Sequence, residues 1–390
     1  MKKLVLVTII GLILSGCGGG GGSDNGSTPK PDIKPEAKPA LVEGTIDKVN
    51  GSNIIVNGRS YQVASVNYAN TPLADGVSVL KPQMMVQVSD VAKAGATVFL
   101  DPTLLGQVTA VNHTTHTFTV NGVELSFAQL KDIEINDWVM VSALPMATET
   151  GLGYKVLSVV KVEYDGLYGE SELEGSVTNL TDTSFKLGSV VISYSPSQVD
   201  GMHSLQNGDW VEVTGYMSGD NFIATEVEVD NYNDNEDFDF DDAEIEGVVT
   251  WINKEKTLFT LNARGQFVIN NSTRFEDGTR NNLKTGALVE VTAINGVAKE
   301  IEFDRDHDND HDQGTWSEFD AEGIVSYVMD STITLDTFNG ASQTIYVDNM
   351  TRYEDRLTLA TLPGKRVEIE GIVRNGQKIA REIELEELDD

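Results

Sequence analysis

Glu174-Gly175-Ser176-Val177, Gly208-Asp209-Trp210-Val211-Glu212-Val213 and Ala224-Thr225-Glu226-Val227-Glu228-Val229 are three landmarks in one stretch, and their recurrence decides the fold. The same landmarks return in the same order on both sides of it. Glu246-Gly247-Val248-Val249 leads to Gly286-Ala287-Leu288-Val289-Glu290-Val291 and closes at Ala298-Lys299-Glu300-Ile301-Glu302-Phe303. Glu322-Gly323-Ile324-Val325 leads to Gly364-Lys365-Arg366-Val367-Glu368-Ile369 and closes at Ala380-Arg381-Glu382-Ile383-Glu384-Leu385. Toward the N-terminus, Leu105-Gly106-Gln107-Val108, Asn136-Asp137-Trp138-Val139-Met140-Val141 and Leu157-Ser158-Val159-Val160-Lys161-Val162 form a looser copy. Glu43-Gly44-Thr45-Ile46 starts a degenerate one, in which Met84-Met85-Val86-Gln87-Val88 lacks the central glycine. Self-similarity at a fixed spacing marks a string of equivalent units and outranks any local motif.

Each unit reads as short strands with period-two alternation and a turn about every eight to twelve residues. Asn57-Gly58 and Asn121-Gly122 stand between alternating apolar runs, a hairpin signal because both residues tolerate positive φ. No segment keeps helical spacing over three turns. Five strands per unit, closed so that no edge is left exposed, predict an all-β chain of tandem small five-stranded OB-like β-barrels. The glycine of the first landmark fits a bend or bulge at a barrel corner. The glycine before the fourth strand fits a turn with positive φ. In Val211-Glu212-Val213 the valines are expected in the core and the glutamate in solvent.

These landmarks resemble those of a bacterial domain of unknown function, number 5666, found in secreted and lipid-anchored proteins. The Glu-Gly-x-Val start, the Gly-Asp-x-Val-Glu-Val centre and the Ala-x-Glu-Val-Glu ending carry the resemblance, most clearly in units three to five. It implies small OB-like barrels and brings no activity with it.

The N-terminus gives an address. Lys2 and Lys3 precede an apolar run from Leu4 to Leu14, too short to span a bilayer and proportioned as a secretory signal. Leu14-Ser15-Gly16-Cys17 resembles the lipobox of bacterial lipoproteins, which implies cleavage before Cys17 and acylation of that residue. Cys17 is the sole cysteine, so no disulfide forms within the molecule. Gly18 after it resembles the outer-membrane sorting pattern. The expected organisation is a signal peptide over 1–16, a Gly/Ser/Pro-rich tether over 17–40 and barrels over 41–103, 104–168 and 172–230. An acidic linker over 231–243, a barrel over 244–303, an Asp/His-rich linker over 304–319 and a barrel over 320–390 complete it.

The chain has 390 residues and a formal net charge of −33, with 40% hydrophobic residues, enough for packed cores. So negative a surface repels polyphosphate and anionic headgroups and favours cations or basic partners. Asp304, Asp306, Asp308, Asp310 and Asp312 alternate with His307 and His311 in the second linker. Carboxylates at every second position can converge on calcium, though Gln313 and Phe319 occupy the glycine and glutamate positions of an EF-hand counted from Asp308. A solvated, self-repelling linker and a histidine-bound transition metal are the other readings. Trp138, Trp210, Trp251, Phe259 and Tyr346 could stack bases, but a basic groove is lacking, so they are assigned to cores and no nucleic acid is expected. The chain has no phosphate loop, zinc-protease helix or serine elbow. The expectation is a non-enzymatic outer-membrane lipoprotein that binds an envelope protein, a glycan or divalent cations, with a structural spacer as the alternative and an envelope hydrolase without a familiar motif as the third reading.

Overall fold

A computed structural model describes residues 41–386 except 70, 75, 92–94, 149–150, 163–169, 202–203, 233–242, 304–317, 330, 339, 349–350 and 375. Unit one comprises β1 (Leu41–Asn50), β2 (Asn53–Val56), β3 (Arg59–Tyr68), β4 (Thr71–Pro72), β5 (Met85–Val91) and β6 (Gly95–Leu100). Unit two comprises β7 (Leu104–Asn112), β8 (Thr117–Val120), β9 (Val123–Ser126), β10 (Trp138–Thr148) and β11 (Gly151–Lys161). Unit three has β12 (Ser171–Thr178), β13 (Ser184–Leu187), β14 (Val190–Ser193), β15 (Val199–Asp200), β16 (Trp210–Ser218) and β17 (Asn221–Val229). Unit four has β18 (Ala243–Ile252), β19 (Leu258–Leu261), β20 (Gly265–Val268), β21 (Arg274–Glu276), β22 (Leu288–Ile294) and β23 (Val297–Phe303). Unit five has β24 (Glu318–Met329), β25 (Thr332–Thr337), β26 (Ser342–Tyr346), β27 (Arg352–Tyr353), β28 (Arg366–Arg374) and β29 (Gln377–Leu385).

The chain is all-β, and the pairings close most units into barrels. In unit three, β12 pairs β13, β13 pairs β14, β14 runs parallel to β17, and β17 returns through β16 to β12. Numbering the five main strands in order, the circuit is 1-2-3-5-4-1 with one parallel step. Units one, four and five repeat it, with parallel steps β3–β6, β20–β23 and β26–β29. In unit two, no ladder joins β9 to β11 among the described residues, so its circuit stays open there. The short strands β4, β15, β21 and β27 are additions to the five expected per unit.

The alternation sets the cores. Val211 and Val213 are fully buried while Glu212 between them is half-buried. Trp210, Trp251 and Phe259 are buried, and Trp138 and Tyr346 are half-buried, so these aromatics pack inward rather than line a surface. Units two and three share one continuous core, with Val108, Phe118 and Val139 from one and Val177, Phe185 and Phe222 from the other.

The two landmark glycines have different causes. Before the fourth strand, Gly208, Gly286 and Gly364 have φ of 100°, 85° and 81°. Gln83 and Asn136 hold the same place in units one and two at φ 66° and 76°, so the turn outlasts the loss of glycine. The first-strand glycine is a correction. The bulges lie two to four residues beyond it, between Ile46 and Lys48 or between Val249 and Trp251. Its role is close approach: a Cβ on Gly44, Gly106 or Gly247 would overlap the side chain of Asn57, Asn121 or Asn262. Those asparagines sit at positive φ in the β2–β3, β8–β9 and β19–β20 hairpins and fold back over the first strand. Asn121 Nδ2 donates to Leu105 O at 2.9 Å and Asn262 Nδ2 to Glu246 O at 3.1 Å. In unit three, Tyr154 from unit two takes that space, its hydroxyl donating to Glu174 O at 2.5 Å.

Unit one, the least regular copy, is the hub. Its first strand runs parallel to the first strand of unit four, Leu41–Glu43 opposite Ala243–Ile245. Units two and three likewise meet first strand to first strand, Leu104 and Leu105 opposite Leu173 and Glu172 in an antiparallel ladder. Leu105 and Met140 of unit two are buried in unit one's core. Unit five attaches to unit four by Ile372 and Ile379 against Trp251.

Candidate functional site

Glu212 was expected in solvent, but strand register places the landmark glutamates in rows. In unit three, Glu174 stands opposite Glu212, and Glu212 opposite Glu228. Unit four repeats the row as Glu246, Glu290 and Glu302, and unit five as Glu322, Glu368 and Glu384. Like charges directly opposite on a sheet repel, so each row needs a complement. In unit two the same row reads Leu105, Met140 and Val160, and it packs on unit one.

Unit four's complement comes from unit one. Arg59 holds the fully buried Glu244 in a fork, with Nε donating at 3.0 and 3.1 Å and Nη2 at 2.7 Å. The Thr45 backbone N–H and hydroxyl donate to Glu246 Oε2 at 2.7 and 2.8 Å. The Tyr68 hydroxyl of unit one donates to Glu172 of unit three.

Units one, three and four converge on Arg264. Its Nη1 lies 3.0 Å from Glu43 Oε1 and its Nη2 lies 2.5 Å from Asp230 Oδ2. Its guanidinium carbon stands 4.7 Å over the Tyr232 ring. The Tyr232 hydroxyl donates to Glu43 Oε1 at 2.5 Å and accepts from Asn262 Nδ2 at 3.1 Å. Tyr232 thus shows what an aromatic of the first acidic linker does: it docks on a neighbouring barrel. Burial pushes the Glu43 carboxyl up to about 7, with Asp101 adding to the rise and Arg264 opposing it. Burial, then Asp101, also raises Glu174 well above its ordinary value, and Trp210 Nε1 donates to it at 3.3 Å. One arginine facing several carboxylates leaves the cluster short of positive charge, and buried acids answer by holding protons.

Unit five's rows have only a partial complement, supplied by Asn253 and Lys254 of unit four. Asp320, Glu322 and Glu384 are exposed, and Glu368, Glu370 and Glu382 are half-buried. Lys254 Nζ of unit four is 3.8 Å from Glu368, the Lys254 backbone bonds Glu370, and Asn253 Nδ2 donates to Glu382 Oε2 at 3.2 Å. Burial raises Glu370 to about 7, with Glu382 adding to the rise, and burial and Asp320 raise Glu368. Carboxylate oxygens of Asp320, Glu368 and Glu370 lie within 4.8 Å of one another, as do those of Glu276, Glu300 and Glu302. In the second group Arg274 already bonds Glu276 at 2.8 Å and Glu300 at 2.6 Å.

Of the residues singled out in the sequence, Cys17 and the calcium candidates Asp304, Asp306, Asp308, Asp310 and Asp312 lie outside the described residues. The glutamate rows and the Arg264 cluster were missed. The rows had a signal, since all three landmarks of a unit carry glutamate in the same alternation phase. Arg264 had none, because Glu43 lies 221 residues away and no motif marks Asp230 or Tyr232 as its partners.

Fold and rows define a protein of tandem small β-barrels, four of which meet through their first strands. Residues 174–228, 246–302 and 322–384 each match the family model described as Domain of unknown function (DUF5666), which gives three tandem copies over units three to five. No curated protein matches the chain. Among solved structures the chain is similar to a multidomain protein with nucleic acid binding domains from Streptococcus pneumoniae. The likeness has 12% identity over 48% of this chain and 72% of that one, and its TM-score of 0.12 carries no functional argument.

Proposed function

We propose that the chain is a lipid-anchored protein of the bacterial outer membrane, held through Cys17, whose OB-like barrels form a non-enzymatic module for binding an envelope protein or glycan. The 1-2-3-5-4-1 circuit, a five-stranded Greek-key barrel, supports the OB-like reading. The lipobox-like Leu14 to Cys17, with a glycine- and proline-rich tether behind it, supports the anchor. One observation carries the binding role: units one to four engage one another through first strands, while unit five keeps its first-strand edge open and its row meets only Asn253 and Lys254 of unit four. A spacer fits less well, because unit one lies against unit four and the fold-back shortens the reach.

The test uses the full chain in cells. Palmitate labelling should be lost in Cys17→Ala, and a photo-crosslinking residue in place of Tyr327 should give an adduct of discrete mass. Absence of label would remove the anchor. Absence of an adduct both there and from Tyr216 of unit three would remove the binding role.

A further inference from the structure

Four of the five barrels use the same short segment to join another barrel. In unit four, Ala243–Ile245 pairs β22 on one edge and takes Leu41–Glu43 of unit one on the other. In unit three, Glu172 and Leu173 pair β16 on one edge and take Leu105 and Leu104 of unit two on the other. The corresponding segment of unit five is Phe319–Ala321, just before Glu322-Gly323. It pairs β28 at Gly371, Glu370 and Ile369, and β25 joins β24 only from Gly323 onward. Among the described residues, no strand of another unit adds to it.

The side chains around that edge follow the docked copy. Asp320, Glu322, Ile324 and Tyr327 of unit five correspond to Glu244, Glu246, Val248 and Trp251 of unit four. In unit four all four are engaged: the acids by Arg59 and Thr45, Val248 against Met85 of unit one and Leu144 of unit two, and Trp251 against unit five. In unit five, Ile324 is 46% and Tyr327 59% exposed, and Asp320 and Glu322 are exposed. Phe338, at 51%, lies nearby under Arg366, whose partner across the ladder is Ile324. Scattered exposed apolar residues need no explanation. These stand at positions that a docked copy buries, beside an open strand edge.

We propose that the Phe319–Ala321 edge of unit five, with Asp320, Glu322, Ile324 and Tyr327, accepts a β-strand from a basic polypeptide partner. Main-chain bonding to an open edge supplies affinity, and alternate side chains supply selection. The chemistry of the complement is read from unit four, where a guanidinium on β3 holds Glu244, a hydroxyl and N–H on β1 hold Glu246, and Met85 on β5 covers Val248: the partner brings cationic and apolar side chains together. A second copy of this chain is the wrong complement, because a chain of net charge −33 would set acid against acid. A bare metal ion or polyamine would leave Ile324 and Tyr327 uncovered. The assignment rests on the binding role proposed above and fixes its face and partner class.

The probe is a synthetic strand of alternating arginine and valine, titrated into the full chain in detergent. Its controls are the same peptide N-methylated at alternate residues and a glutamate–valine version. Binding should weaken at least tenfold on N-methylation, in Asp320→Arg/Glu322→Arg, and in the charge-neutral Ile324→Ser/Tyr327→Ser. Asp220→Asn, an exposed acid of unit three, should leave it unchanged. Equal binding of the methylated peptide, or by the unit five variants, would reduce the effect to general attraction and overturn the proposal. Self-association of the chain that Asp320→Arg abolishes would name a second copy as occupant and overturn the partner class. Peptide binding without a cellular adduct would keep the face and remove the binding role. An adduct without peptide binding would do the reverse.

Discussion

Glu43→Gln at the joint of units one, three and four tests whether a proton holds that joint together. Glu43 is 1% exposed, and its Oε1 already receives Tyr232 and Arg264. Moving a carboxyl from its ordinary 4.5 to about 7 corresponds to about 3 kcal/mol of preference for the neutral acid. The folded chain therefore binds this proton more tightly than the unfolded chain. The contribution is complete below about pH 4.5 and is lost as pH rises through about 7. Glutamine is permanently neutral and of the same shape, so the variant should lack this fall. At about pH 8 it should be more stable than the parent by up to about 3 kcal/mol, and at pH 4.5 the two should agree. With a urea slope of about 1–3 kcal/mol per molar, the midpoint of the step opening units one and four should differ by about 1–3 M. Pulse proteolysis in urea across this pH range, with cleavage mapped to units one and four, measures it. Parallel pH profiles, or a variant weaker than the parent at pH 8, would refute the reasoning, since either requires an ionised Glu43 in the folded joint.

Two further substitutions address how barrels dock and how each closes. Arg59→Met strands the buried Glu244 and should cost about 3–5 kcal/mol in urea unfolding, most of it restored by adding Glu244→Gln; a loss below about 1 kcal/mol would count against the docking. Gly247→Ala drives a methyl into the Asn262 side chain and should cost about 1–3 kcal/mol. In that background Asn262→Gly should recover part of the loss, measured as melting temperature, whereas no recovery would mean that the glycine serves another purpose.

The repeat was legible because barrel parts are local. Alternating valines and the Asn57-Gly58 and Asn121-Gly122 turns each specify geometry within a few residues, and strands follow from them. Period-two reasoning also placed Val211 and Val213 inside. It placed Glu212 outside without asking which residues lie beside it, and Glu174 and Glu228 do. Counting register from the hairpins would have exposed these rows. The Arg264 cluster was beyond such counting, because Glu43 lies 221 residues away and nothing local joins them. The degeneracy of unit one now has a physical reason. Met85 is buried against Leu144 and Val248, and Gln87 replaces the row's glutamate opposite Glu43, because several barrels cover this unit.

The parallel pairing of β1 with β18 also orders events in time. Thr45 and Glu246 are 201 residues apart. At about 5–20 residues per second of synthesis, on the order of 10–40 s separates their emergence from the ribosome. Through that interval unit one carries Glu43 without Arg264 and a strand edge without its neighbour, although its own circuit is complete. Such high contact order slows folding and lengthens the exposure of unpaired strands. The barrel made first is therefore finished late, and a chain cut short before β18 leaves its hub incomplete.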